Sequence, residues 1–356
     1  MKEKSRIKYI DLCKGLGILM VTLGHVTTLA NPMDQWMSSM KLSIFFVAAG
    51  YLICYTNSYE KQTLKRYIVK LIKSLMVPYI LFSAFGIAFR YFAMVMQNAV
   101  NMDSIKSYIF ATITLRGIFA LWFLPVLFFA EILFYCLIRY APRIVKLLVI
   151  LMPPFIATWY GGYLEQLQMV LSPLWYERIS FVLFPIGKTI VALWYLYIGY
   201  LGCRLCRQIQ NGKILFLIGM IFSVVNIYMS QQNMEVDMNH MDFGICPELF
   251  FIGGILGSFG ALFVFQFLEQ YWSFPILNYF GQNSLILMST QRAFYILAIG
   301  AAGWHEISGS VEVLSWRYYW DSLGTLAIVL ILEYSIITFI NKKAKFLVKH
   351  DIIFWE

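Results

Sequence analysis

The chain has 356 residues, of which 60% are hydrophobic, 18% are aromatic and only 13% are charged. This balance excludes an ordinary soluble globular protein and predicts a polytopic membrane protein of the all-α class. The formal net charge of +9 does not indicate nucleic-acid binding, because the basic residues cluster beside apolar segments and form no basic surface interleaved with glycine and aromatic residues. Cys203 and Cys206 have no second cysteine pair or histidine nearby, so we predict no metal site there.

Apolar stretches suited to membrane spans, which require about 20 residues in a helix, recur along the chain. We place ten of them at residues 9–30, 40–57, 68–92, 116–138, 144–159, 185–205, 213–230, 247–268, 276–299 and 319–341. They use nearly all of the sequence, which predicts one integral domain over residues 1–356: a bundle of about ten spans in a multi-pass protein of the cell membrane. The fifth and sixth spans are the weakest, because Pro153, Pro154 and Pro185 break helices locally.

The basic residues predict the orientation of these spans. Most of them fall in alternate connections, at residues 2–8, 61–73, 139–146, 204–213 and 342–349. Lys and Arg accumulate in cytoplasmic loops, so we expect both termini to be cytoplasmic. The acidic connections around Glu165, Asp237 and Glu306 should then face outward.

The first span carries three ionisable residues, Asp11, Lys14 and His25. Lys14 and His25 are separated by a rise of about 16 Å and by almost three whole turns, so both lie on one side of the helix, and Asp11 shares that side. A charge that faces lipid at mid-depth costs about 3 kcal/mol or more, so this polar stripe should face the bundle interior or a wet cavity. The alternatives are an interfacial pair for Asp11 and Lys14, and a backbone hydrogen bond for His25.

Other polar residues fall within later apolar stretches, where they are candidates for contact with a substrate. These candidates are Trp122, Glu131, Asn283, Ser284 and Arg292. For Glu131 and Arg292 the alternative is a buried ion pair between neighbouring helices. For Trp122 it is packing beside a kink, since Pro125 follows closely. For Asn283 and Ser284, which follow Gly281, it is a cap or a bend in the ninth helix.

A basic cluster precedes and enters the third span. It consists of Lys65, Arg66, Lys70 and Lys73, at spacings that place several of them on one helix face. Such a face can bind phosphate groups. The alternative is a topology signal that contacts anionic lipid headgroups.

Several of these segments carry a family resemblance. The run RIKYIDLCKGLGILMVTLGHV, at residues 6–26, resembles the N-terminal signature of the bacterial acyltransferase-3 membrane family, in which an Asp, a basic residue and a His occupy the first helix. The segments SIFFVAAGYLI, KSLMVPYIL, LWFLPVLFFAEIL and FGQNSLILMST resemble the second, third, fourth and ninth helices of that family. The likeness is strongest to polysaccharide O-acetylases related to fucose 4-O-acetylase. Two positions depart from the pattern: Lys14 replaces the commoner Arg, and Gln291 stands where relatives often have a second His.

The resemblance implies that an acyl group, often acetyl from acetyl-CoA, is transferred to a hydroxyl of a cell-surface glycan or of its lipid-linked precursor. His25 would be a general base or a transient acyl acceptor, with Lys14 and Asp11 in the catalytic set. Lys14 and the basic cluster would bind CoA, while Trp122 and the polar candidates named with it would contact substrate.

Acyl-CoA would be a donor substrate rather than a tightly bound cofactor, and membrane lipids would be the other partners. No metal is expected. The chief rival interpretation is a multipass transporter of a glycan, a lipid-linked sugar or a small solute, although the sequence shows no inverted repeat. A third interpretation is a membrane-embedded partner in assembly or sensing.

Overall fold

The computed structural model describes residues 7–27, 31–57, 59–209, 211–234, 236–309 and 314–348. Within these ranges the regular structure is helical, apart from two short strands, β1 (Val236–Asp237) and β2 (Asp242–Phe243), which pair antiparallel in a hairpin. The predicted all-α class is confirmed.

The helices follow one another with short connections. In chain order they are α1 (Lys8–Val26), α2 (Pro32–Met40), α3 (Ser43–Thr56), α4 (Leu64–Leu71), α5 (Val77–Met96), α6 (Met102–Ile113), α7 (Phe123–Tyr140), α8 (Arg143–Leu151), α9 (Pro153–Val170), α10 (Pro173–Cys206), α11 (Gly212–Ser230), α12 (Pro247–Leu268), α13 (Pro275–Gln282), α14 (Ser284–Thr290), α15 (Ile296–Ser308) and α16 (Trp316–Lys343). A π-helical turn, Ile72–Met76, joins α4 to α5, and a 3-10 turn, Phe119–Trp122, leads into α7.

Eight continuous helical segments of the described residues are long and apolar enough to cross a membrane, and the bent pair α8 and α9 makes a ninth. The 53° bend of this pair lies beside Pro153 and Pro154, whose rings remove backbone donors. Pro185, by contrast, lies inside the continuous helix α10. The chain is therefore a multi-pass membrane protein.

The predicted span at 276–299 is not one helix, because it is divided among α13, α14 and α15. The first break is at Asn283, whose side-chain amide donates to the main-chain oxygen of Tyr279 and whose oxygen accepts from Asn341 Nδ2 at 2.8 Å. An Asn side chain that bonds in this way competes with the helical backbone. A long-range contact to α16 therefore holds the broken geometry in place.

The first of these short helices, α13, packs directly against α1. A Cβ atom at Gly281 would lie only 1.8 Å from the main-chain oxygen of Asp11, and one at Gly15 would lie 2.1 Å from that of Leu277. Only glycine allows the two backbones to approach so closely. This contact holds the start of α14 beside the polar stripe of α1.

The basic connections meet at one end of the bundle, which we call the inner end. Arg139 donates to the main-chain oxygen of Tyr59 at 3.2 Å, and Arg207 donates to that of Cys54 at 2.9 Å. These bonds join the last turn of α7 and the end of α10 to the last turn of α3 and the connection after it. The opposite, outer end carries α2 and the β1–β2 hairpin, and Gln231 at the end of α11 donates there to the main-chain oxygen of Pro32.

Candidate active site

A cavity of about 680 Å³ lies at the inner end of the bundle. Its polar lining comprises Asp11, Lys14, Thr56, Lys61, Gln62, Tyr67, Lys70, Ser74, Glu131, Gln282 and Ser284. The hydroxyl of Tyr67 donates to the Glu131 carboxylate at 2.7 Å, which couples α4 to α7 across the cavity. The amines of Lys14, Lys61 and Lys70 line this cavity, which makes it suitable for a polyanionic ligand.

The basic cluster is only partly at this cavity. Lys70 lines it, whereas Lys65, Arg66 and Lys73 do not. Lys65 and Arg66 are exposed on the other faces of the short helix α4, and Lys73 lies in the π-helical turn, where the regular helical spacing is interrupted. Lys61, which sequence reasoning missed, contributes from the loop before α4, where no periodic pattern marks it.

A second cavity, of about 340 Å³, lies at the outer end. Its polar lining comprises His25, Asp34, Ser38, Lys41, Ser43, Trp122, Asp237, Asn239, His240 and Arg292. His25 is in the last turn of α1, and although protein surrounds it, its side chain is accessible because it faces this cavity. His25 is thus nearer the outer end than the predicted span 9–30 implied; residues 28–30 lie outside the described part of the chain.

The polar stripe of α1 therefore faces the bundle interior, as predicted, but it does not line one continuous path. Phe45, Phe123 and Met288 line both cavities and separate them. The rings of Phe45 and Phe123 meet edge to face, with centroids 5.6 Å apart. Lys14 thus lies on the inner side of an apolar partition, and His25 lies on its outer side.

The predicted ninth-helix motif, at residues 280–290, and the residues just after it also pass between the two cavities. Ser284 lines the inner cavity, Met288 belongs to the partition, and Arg292 lines the outer cavity. The helices α13 and α14 thus form a broken segment between the two cavities, and they are too short to be counted among the eight or nine candidate spans of the described residues. Helices broken at mid-membrane are a common way to build a site there.

Arg292 is held beside His25 by α5. The guanidinium of Arg90 donates to the main-chain oxygens of Ala293, at 3.1 Å, and of Arg292, and it stacks 3.5 Å from the ring centroid of Tyr295. His25 and Arg292 also share a smaller adjoining cavity of about 230 Å³. A positive side chain next to the histidine can stabilise negative charge that develops during a reaction.

The ion pair considered for Glu131 and Arg292 does not form, because the two side chains line different cavities. Trp122 lines the outer cavity, with the Lys188 ammonium 4.3 Å from its ring centroid. Asn283 lines neither cavity and serves the break between α13 and α14. Four of the five substrate candidates are therefore divided between the two cavities, and the fifth, Asn283, lines neither.

Sequence reasoning missed the polar residues that the β1–β2 hairpin brings to the outer cavity. Within it His240 Nδ1 lies 2.6 Å from the Asp237 carboxylate. Opposite, Asp34 and Lys41 form an ion pair at 3.7 Å. The three-residue spacing of Asp237 and His240 was a local signal, but only the fold shows that this acidic loop turns back over the bundle.

Comparison with known proteins adds independent information. The family model of an acyltransferase domain, acyltransferase 3, matches residues 7–332. Searches of curated proteins and of solved structures return no match. The match spans nearly the whole chain and includes every lining residue of the two cavities except Val348. The chain therefore belongs to the acyltransferase-3 family and is a membrane-embedded acyltransferase.

Proposed function

We propose that the protein transfers an acyl group, most simply acetyl, from acyl-CoA in the inner cavity to a hydroxyl group in the outer cavity. The acceptor in this proposal is a cell-surface glycan or its lipid-linked precursor. One observation carries the proposal: Lys14 and His25 lie on one face of α1 and line two cavities that meet at a thin apolar partition.

The inner cavity suits the donor. CoA is cytoplasmic and polyanionic, and Lys14, Lys61 and Lys70 offer amines at the end of the bundle where the basic connections meet. Ammonium groups bind phosphates as point charges and tolerate varied geometry. The slender acyl-bearing arm of the donor is uncharged and can pass between Phe45, Phe123 and Met288 toward His25.

The outer cavity suits an acceptor that presents hydroxyl groups. Asp34, Asp237 and Asn239 provide oxygens that accept hydrogen bonds from hydroxyls, and Trp122 provides an apolar ring face. His25 acts there as a general base or as a transient acyl acceptor, and Arg292 stabilises the negative charge that forms on the carbonyl oxygen.

The test is an assay of the purified protein in lipid vesicles with labelled acetyl-CoA. Glycan and lipid-linked fractions from cells that lack the protein serve as acceptor. We expect release of free CoA thiol together with label in the acceptor. Movement of acceptor across the vesicle membrane without acyl transfer would instead support the transporter.

The donor site gives a separate prediction. Lys14→Ala and Lys70→Ala should each raise the KM for acetyl-CoA by roughly tenfold or more, because a hydrogen bond to a charged group contributes about 1.5–3 kcal/mol. Steady-state kinetics at several donor concentrations would measure this change. The matched control is Lys213→Ala, since Lys213 is an exposed residue at the start of α11, away from the cavity. An equal rise in KM for all three variants would contradict a specific donor site.

A further inference from the structure

The β1–β2 hairpin holds a histidine and a carboxylate in a fixed pair. Asp237 accepts two hydrogen bonds, one from the backbone N–H of Asn239 at 2.8 Å and one at its other oxygen from His240 Nδ1 at 2.6 Å. Burial opposes ionisation of this carboxyl group, but the bonds from His240 and Asn239 outweigh it and lower the pKa of Asp237. The carboxylate thus stays charged and fixes the orientation of the imidazole.

The turn that carries the pair is anchored in the bundle. The side chain of Lys188, buried in α10, donates to Asn239 Oδ1 at 2.6 Å. Met238 and Met241, on either side, are buried, and the ring of Phe184 meets the His240 ring edge to face at 6.3 Å. These contacts make the hairpin a rigid support rather than a loose connection.

This geometry has a chemical consequence for His240. With Nδ1 donating to Asp237, the neutral ring carries its lone pair on Nε2, which is the arrangement that lets a carboxylate orient a histidine for proton transfer. His240 lines the outer cavity together with His25 and Arg292. His25 at the end of α1 and His240 in the hairpin thus line the same cavity.

We propose that these two histidines have separate roles in the reaction. His25 carries the acyl group, and His240, oriented by Asp237, takes the proton of the acceptor hydroxyl. The inference rests on the proposed function and chooses between the two roles open to His25. It also assigns the acceptor to the outer end of the bundle, because the hairpin lies there.

The first step transfers the acyl group to the protein. An imidazole nitrogen of His25 bonds to the thioester carbonyl carbon, and the C–S bond breaks. The proton on the other imidazole nitrogen passes to the departing sulfur, which gives CoA thiol and a neutral acyl-imidazole.

The second step transfers the acyl group to the acceptor. The hydroxyl oxygen bonds to the acyl carbon, its proton passes to Nε2 of His240, and the C–N bond to His25 breaks. The proton then moves from His240 to His25, and both imidazoles are again neutral.

The experiment separates the two steps with His240→Gln. The variant is mixed with acetyl-CoA that carries a labelled acetyl group, and thiol release, label on the protein and label on the acceptor are followed in time. We expect a burst of about one thiol per protein, label retained on the protein, and transfer to the acceptor slowed by roughly 10²–10⁴-fold. Asp237→Asn should show the same pattern with a smaller loss, because His240 remains but is less well oriented.

His305→Gln is the matched control, since His305 is an exposed histidine at the end of α15 and lines neither cavity. It should behave as the wild type. Unchanged thermal unfolding and unchanged acetyl-CoA binding establish that the His240 and Asp237 variants are folded.

The outcomes of this experiment test the roles of the two histidines separately from the proposed function. Transfer by His240→Gln at the wild-type rate, or wild-type transfer with no labelled protein at any time, overturns the division of roles and leaves the proposed function intact. If the wild-type protein neither releases thiol nor labels any acceptor, the proposed function itself fails.

Discussion

His25→Ala is expected to abolish acyl transfer while the inner cavity still binds acetyl-CoA. The substitution removes the protein side chain that bonds to the acyl carbon in the proposed reaction, and loss of a general base alone would cost about 10²–10⁴ in rate. Lys14 and Lys70 lie on the other side of the partition from His25, so donor affinity should change little. Transfer would be measured with labelled acetyl-CoA, and binding by the rise in unfolding temperature that CoA produces.

His305→Ala is the control for this variant as well, because it removes an exposed histidine from the outer end without touching either cavity. Full acyl transfer by His25→Ala would rule out the mechanism. Loss of both transfer and CoA binding would mean that the substitution had damaged the fold, and His25→Gln would then be the informative variant.

Gly281→Ala is expected to have the largest effect on stability. The added Cβ would lie 1.8 Å from the main-chain oxygen of Asp11, and neither backbone can move aside without separating α13 from α1. Overpacking of this kind typically costs about 1–3 kcal/mol or more, which is a large part of the roughly 5–15 kcal/mol that stabilises a typical domain. We expect a clear fall in thermal unfolding temperature in detergent and a poor yield of folded protein.

Gly162→Ala is the matched control. Gly162 lies within α9, and a Cβ there would have no neighbour within 4 Å. Replacing a helical glycine by alanine at an open position should leave stability unchanged or raise it by up to about 1 kcal/mol. Equal unfolding temperatures for Gly281→Ala and the wild type would show that α1 and α13 can separate without cost.

The continuous spans and the polar face of α1 were predictable from sequence. Apolar length, the placement of basic residues and the helical repeat that aligns Lys14 with His25 are all local properties of the chain. The lipid environment imposes these patterns strongly, because every backbone polar group must be satisfied inside the segment that crosses. The family match, which covers residues 7–332, agrees with the resemblance found in residues 6–26.

A bend at Asn283 and Ser284 was one alternative from the sequence, but the full division of this span and the position of the hairpin were not predictable from local patterns. The break at Asn283 depends on a partner from α16, Asn341, which lies 58 residues away in sequence. The position of His240 depends on the buried Lys188 of α10, 51 residues from its partner Asn239. Similarly, nothing in the local pattern distinguishes Lys61, which lines the inner cavity, from Lys65, which does not. The path of the chain into the short helix α4 decides which of the two faces the cavity.

The apolar partition formed by Phe45, Phe123 and Met288 also has an electrical consequence for the proposed reaction. Because its three side chains are apolar, the partition is a low-dielectric layer between two cavities that are lined by polar residues. A unit charge crossing the full potential gains or loses about 2.3 kcal/mol per 100 mV, whereas an uncharged acyl chain crosses it without electrical work. In the proposed reaction the uncharged acyl arm therefore reaches His25 independently of the membrane voltage, while the cost of desolvating charge at the apolar partition keeps the CoA phosphates in the inner cavity.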